Sequence, residues 1–409
     1  MRRHSGKLFV VLAGTLAVRI AVAGGPLTID TSGEPMTWGT ATAIQYRTDL
    51  GPLSTEVTNA EARARVADMF GVWQDVASAS ISYNRAGDIQ DVGAFTDGDV
   101  STAEEFDAVE GACGNGDQSP IVYDVDGSLF EDLGEDPSVI GFAGPCAFNG
   151  SGQFVSGIAV MNGIYQDGID NDDNFELSEA EFDAAFVHEF GHFSGLDHSQ
   201  INVQCQSGCG VDNLAGLPTM FPFLLHVSQG SLATDDIAWI SKLYPAGGAG
   251  GFAATHGTIT GTVYFSDGES HAQLVNVIAR QVNNPVTVVD ESRTTAASGV
   301  SGNRFRVFHG NPINEPNPEP AGPFRSQDPA HIGFFEIPVP AGSYRIEVES
   351  IDPGFTEGSS VGGEIVIPMP GTAPPPIGPV TVTAGTTLPG NDIVLIGTPP
   401  RFDQFEGPE

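Results

Sequence analysis

The apolar positions of this chain follow two regimes. Up to about residue 245 helical and strand periods alternate; beyond about residue 256 only short alternating runs remain. Thr58 and Glu61 form a capping box, and Ala62, Val66, Met69, Phe70, Trp73 and Val76 follow at helical spacing, which predicts an amphipathic helix packed on a sheet. Strand-like runs flank it at 43–47, 80–83, 121–125 and 157–161. A second helix is expected from Ser178, boxed with Glu181, through Phe182, Phe186, Phe190 and His192 to a stop at Gly195; a third covers 235–243 and ends before Pro245. The later runs, at 258–265, 274–280, 286–289, 334–339, 344–348, 364–367 and 393–396, are separated by turns rich in Gly, Pro, Asn and Asp. The fold class expected is therefore an α+β unit with a mixed sheet and one functional helix, followed by an all-β sandwich.

The glycine run Ala-Gly-Gly-Ala-Gly-Gly at 246–251 marks the boundary, because such a backbone is costly to order. The expected organisation is a signal peptide at 1–23, a first domain at 24–245, a linker at 246–256, a β-sandwich at 257–397 and a tail at 398–409. The proline-rich stretch 311–323 is expected as an exposed loop. In the signal segment Arg2, Arg3 and Lys7 precede an apolar run from Leu8 to Val18, and Ala21-Val22-Ala23 offers a small-x-small cleavage site. That run is too short to span a bilayer, so export and an extracellular location are expected, with no membrane insertion.

Removing 1–23 takes away four basic residues, Arg2, Arg3, Lys7 and Arg19, and no acidic ones, which deepens the net charge from −36 to −40. Such a surface repels nucleic acid and anionic lipid and offers carboxylates to calcium. Four cysteines in an exported chain imply two disulfides, and the expected pairs are Cys113 with Cys146 and Cys205 with Cys209.

Residues 188–198 read HEFGHFSGLDH. His188 and His192 lie four apart, so on a helix both imidazoles project from one face and can share an ion about 2.0–2.1 Å from each. Gly195 allows the left-handed turn that brings His198 in as third ligand. Three ligands leave one position open for water, as in a catalytic zinc (Zn2+) site, and Glu189 is placed to act as base on that water. With this chain's own frequencies, five matching positions arise by accident in roughly a few per hundred thousand chains of this length.

The pattern resembles that of the metzincin peptidases, H-E-x-x-H-x-x-G-x-x-H with a downstream methionine turn. Within that group it looks most like the matrixins, because Ser199 follows the third histidine and Pro218-Thr219-Met220-Phe221-Pro222 resembles their methionine turn. The final stretch at 235–245, DDIAWISKLYP, and the opening around Trp38 and Trp73 carry the likeness across most of 27–245. The resemblance implies a metzincin-like catalytic domain, Met220 as an apolar floor under the zinc, and hydrolysis of internal peptide bonds of a protein or peptide substrate. Three departures accompany it. The loop between His198 and Met220 is longer than usual. No histidine lies between residue 4 and His188 to hold a second, structural zinc. Too few residues follow the signal for a long inhibitory propeptide.

Asp170, Asp172, Asn174, Glu176 and Glu181 resemble an EF-hand loop, with Phe175 where glycine is usual; calcium (Ca2+) binding and an ordinary acidic helix-capping turn are both open readings. The run 157–161 reads equally as an edge strand that pairs with substrate or as a buried strand. His226 is expected to line a pocket wall, and His256, His271, His309 and His331 to be surface or turn residues. The later segments GTITGTVYF and GFFEIPVPAGSYRIEVES look similar to carboxypeptidase regulatory-like domains of transthyretin type, which implies a spacer or stabiliser. With every expected catalytic residue before the linker, a chain ending near Pro245 is expected to keep its activity. A competing reading, a secreted adhesion or matrix-binding protein with a non-catalytic zinc, leaves Glu189 without a purpose. Assembly state is open at this level.

Overall fold

The computed structural model describes residues 24–136, 138–170, 175–209, 214, 216–284, 289–290, 295–305, 324–351 and 371–397. The expected signal segment, the loop at 311–323, the strand at 364–367, most of that at 286–289, and the tail lie outside them. The chain order begins with β1 (Thr37–Trp38), β2 (Ile44–Thr48), α1 (Asn59–Gln74), β3 (Tyr83–Asp88), α2 (Ala103–Gly114), β4 (Pro120–Asp124), α3 (Ser128–Leu133), β5 (Gly141–Phe148), β6 (Gln153–Asn162), α4 (Glu179–Phe193) and α5 (Thr234–Leu243). These make a mixed sheet in the order β3-β2-β4-β6-β5, parallel except for β5, with β1 paired to the start of β6.

The two long helices begin where their capping boxes stand. Thr58 and Ser178 cap α1 and α4, each paired reciprocally with a glutamate three residues on. In α1 Ala62, Val66, Phe70 and Trp73 are buried, which turns one face onto α4. There Phe70 stacks on Phe190 with ring centroids 3.8 Å apart, and the Trp73 indole N–H donates to the Val187 carbonyl at 2.8 Å. Each such buried side chain contributes roughly 1.5–3 kcal/mol. The helix that carries the histidines is thus held rigidly from below.

Several expectations change. The strand foreseen at 80–83 is instead Tyr83–Asp88: Ser80 N–H donates to the Tyr244 carbonyl, and the strand is a polar outer one whose Arg85 and Asp88 pair with each other. The run 157–161 lies inside the sheet, between β4 and β5, so it is not an edge. That position belongs to β5. The helix α2 carried its own signals, Thr102 capping with Glu105 and Phe106, Val109 and Cys113 at helical spacing. The disulfide Cys113–Cys146 ties α2 to β5, and Cys205–Cys209 closes the turn Val203–Ser207; both are the expected pairs.

The glycine-rich segment is shorter than expected, for residues 246–256 include the single turn α6 (Phe252–Thr255) and the first residue of β7 (His256–Tyr264). His256 is buried against Phe252 rather than exposed. There follow β8 (Asn276–Asn284), β9 (Val289–Asp290), β10 (Ala296–Val300), β11 (Phe334–Pro340), β12 (Gly342–Glu349), β13 (Ile377–Val382), β14 (Thr387–Leu388) and β15 (Ile393–Val394). One sheet runs β10-β8-β12-β13 with β9 on β8; the other runs β11-β7-β14 with β15 on β7. Their inward residues, among them Ile259, Val277, Phe335, Ile337 and Ile346, share one apolar cluster. No helix among the described residues is long and apolar enough to cross a membrane.

These two sheets do not hang free of the first. The Trp239 indole N–H in α5 donates to the Ser298 carbonyl at 2.7 Å, and the Ser298 N–H donates to Asp235 Oδ1 at 2.7 Å. Lys242 pairs with Glu336 at 3.0 Å, and Arg304 reaches Glu336 at 2.5 Å and Glu34 at 3.3 Å.

Candidate metal centre

His188 and His192 lie in the last two turns of α4, and Gly195, at φ +89°, ends the helix in the left-handed turn its sequence position suggested. The chain then returns so that the His198 Nε2 sits 3.0 Å from both His188 Nε2 and His192 Nε2. Among the described residues these three form the group of side chains able to hold a metal ion.

The hydrogen bonds of the rings define what they offer. His188 Nδ1 faces the Thr219 carbonyl at 2.8 Å and His192 Nδ1 faces the Leu196 carbonyl at 2.9 Å. A carbonyl only accepts, so both Nδ1 atoms carry the proton and both Nε2 atoms present lone pairs to the centre. His198 Nδ1 is buried with no hydrogen-bond partner among the described residues. One proton on His198 Nε2 could satisfy only one of the two facing nitrogens, whereas a shared cation satisfies all three. The donor set, three imidazoles at this spacing, therefore fits a divalent ion such as zinc.

Burial favours the neutral rings that such an ion needs: it pushes His188 down to about 4 and His192 to about 3, and His198 falls well below the usual histidine value, with its two neighbouring rings adding to the effect. Glu189 is 7 % exposed, and the same burial raises its carboxyl to about 8. A cation on the three rings would draw that value back down. Glu189 packs against the first residue of β5, where a Cβ on Gly141 would stand 3.0 Å from Glu189 Cγ and 3.0 Å from Met161 Sδ. The edge strand thus begins beside the carboxylate.

Met220 is buried beneath α4; a Cβ on Gly191 would lie only 2.1 Å from its sulfur. Its turn is held by a residue that sequence reasoning passed over. Asp236 accepts from the N–H groups of Thr219 at 2.9 Å, Met220 at 3.1 Å and Ala233 at 2.7 Å. Since the Thr219 carbonyl holds His188, Asp236 acts on the first ring through one peptide unit. An acidic residue three positions after Ala233 at a helix start was the available signal. Ser199 N–H donates to the Met220 carbonyl at 2.7 Å, which joins the third-histidine loop to the same turn.

Asp172 and Asn174 lie outside the described residues, and Asp170 is exposed. Glu176 Oε1 accepts from Gly168 N–H at 2.8 Å, while Glu181 Oε2 accepts from the N–H and hydroxyl of Ser178 in the capping box. His226 caps the turn Val227–Gly230, with Nδ1 2.8 Å from the Ser228 hydroxyl.

No protein-family model matches the chain, and no curated protein matches it.

Proposed function

We propose that the protein is an exported zinc-dependent endopeptidase of metzincin, matrixin-like type, followed by a β-sandwich resembling carboxypeptidase regulatory-like domains. The observation that carries this reading is the pairing of three converging, neutral histidine nitrogens, two on buried rings and that of His188 on a half-buried one, with a buried glutamate next to His188 on the same helix. A mixed sheet with α4 packed on it, and two sheets over one apolar cluster beyond residue 256, are compatible with the two resemblances.

Zinc at the triad would supply Lewis acidity and an activated water. Glu189 takes a proton on its carboxylate during attack on the peptide carbonyl and returns it to the leaving amine. Burial favours the protonated carboxyl and a cation on the three rings would favour the carboxylate, so the two act in opposite directions on the group that must both take and return a proton. Among the described residues β5 pairs with β6 alone, so its outer edge, which begins beside Glu189, offers backbone groups that an extended peptide can join as a further strand. The position two residues past Met220 is Pro222, which offers no hydroxyl to an oxyanion.

The test is cleavage of casein by purified protein with and without a chelator, alongside its zinc content. Cleavage that stops on chelation and returns with zinc supports the proposal. Full zinc occupancy without cleavage would instead support a non-catalytic zinc in an adhesion or matrix-binding protein.

A further inference from the structure

The three ligands are not supported alike. His188 and His192 each spend Nδ1 on a carbonyl, but among the described residues His198 Nδ1 has no hydrogen-bond partner, so the placement of its ring depends more on the backbone that carries it. That backbone, residues 197–202, belongs to no helix or strand. It is nonetheless buried throughout.

What it is buried against comes from the far end of the chain. Asn202 holds φ 60°, a conformation most side chains resist. There its N–H donates to Glu349 Oε2 at 3.1 Å, and its Oδ1 accepts from Arg280 Nη2 at 2.9 Å. Arg280, itself 4 % exposed, also pairs with both Glu347 and Glu349, so β8 and β12 present one fixed fork to this single residue. Beside it Asn276 Nδ2 donates to the Gln200 carbonyl at 3.3 Å, and Ile201 packs with Ile278 and Ala296. At the other end of the loop the buried Arg325 lies close enough to Asp197 for their charges to interact, and Asp197 Oδ1 accepts from the His198 N–H at 2.8 Å.

We infer that the C-terminal sheets are a working part of the metal centre, with Arg280, through Asn202 and Glu349, as the positioning residue for His198. The β unit is therefore not a spacer, and the expectation that a chain ending near Pro245 keeps its activity is replaced by its opposite. This inference rests on the metal-site reading above, but its test does not require peptidase activity.

In the full-length protein, zinc affinity is measured by competition with a chromophoric chelator, without peptide, in Arg280→Met, Arg280→Lys, Asn202→Gly and Arg304→Ala, with melting temperatures recorded beside it. Replacing an outer support typically weakens metal binding by about 10- to 100-fold. Arg280→Met is expected in that range, Asn202→Gly at about tenfold, and Arg280→Lys between Arg280→Met and the wild type. Arg304→Ala cuts the same interface away from the loop and should bind zinc like the wild type. If Arg280→Met fails to fold, Asn202→Gly decides, because glycine adopts φ 60° without strain and removes only the side-chain contact. Zinc affinity within twofold of wild type in every folded loop variant, or an equal loss in Arg304→Ala, would overturn the inference. Wild-type protein that binds zinc but cleaves nothing would sink the peptidase reading and leave this one standing.

Discussion

Gly191 sits in α4 between two of the histidines, and adding one methyl group there tests the packing of the whole centre. A Cβ would meet Met220 Sδ at 2.1 Å, Trp73 Cζ2 at 2.8 Å and Met220 Cε at 3.0 Å. Comfortable carbon contacts lie at about 3.5–4.0 Å, so the overlap is roughly 1 Å or more. The Trp73 indole is held by its bond to Val187, and the buried Met220 side chain can yield only by pushing into the packed core around it. Overpacking of this kind costs about 1–3 kcal/mol, and the severity of the overlap argues for the upper end. Alanine returns up to about 1 kcal/mol of helix propensity, which leaves Gly191→Ala about 2 kcal/mol less stable. Gly71 in α1 supplies the contrast, since a Cβ there meets nothing within 4 Å. Gly71→Ala should gain about 0.5–1 kcal/mol from the same backbone effect. Urea unfolding at constant m reads both changes. Gly191→Ala should also bind zinc more weakly, because a displaced Met220 moves the Thr219 carbonyl that holds His188. A Gly191→Ala midpoint at or above wild type would refute the packing argument.

Glu189→Gln keeps size but not the proton acceptor, so zinc content should stay full while peptide cleavage falls by about 10² to 10⁴; near-normal cleavage would remove Glu189 from the mechanism. Non-reducing peptide mapping should find Cys113 joined to Cys146. Removing that bridge, which closes a 33-residue separation, should cost about 3–4 kcal/mol in urea unfolding, and an unchanged midpoint would count against it. Asp49 is fully buried, and burial, with Asp99 adding repulsion, raises its carboxyl to about 7. The folded state thus favours the protonated form, so this contribution is complete below the unfolded value of about 3.9 and is lost as pH rises through about 7. The stability of wild type relative to Asp49→Asn should therefore fall across that window; a difference that is flat with pH would mean Asp49 is not protonated in the fold.

Local chemistry is what the sequence by itself determined. A capping box is written within four residues, so the starts of α1 and α4 were legible at Thr58 and Ser178; the spacing of His188 and His192 needs only one helical turn, and the left-handed turn needs only Gly195. The two disulfide pairs were also foreseen from spacing and flanking turns. Contacts between distant segments were decided by the tertiary structure alone. Whether 157–161 was an edge depended on β5, a strand whose Gly-, Ala- and Pro-containing sequence has little period of its own. Asp236 became the anchor of the methionine turn only when α5 folded against it. Arg280 looks in sequence like one more charge on an exposed strand. It becomes a buried partner of Asn202, 78 residues away, because a buried guanidinium is stable only where carboxylates and an amide meet it together, and no local pattern records such a meeting.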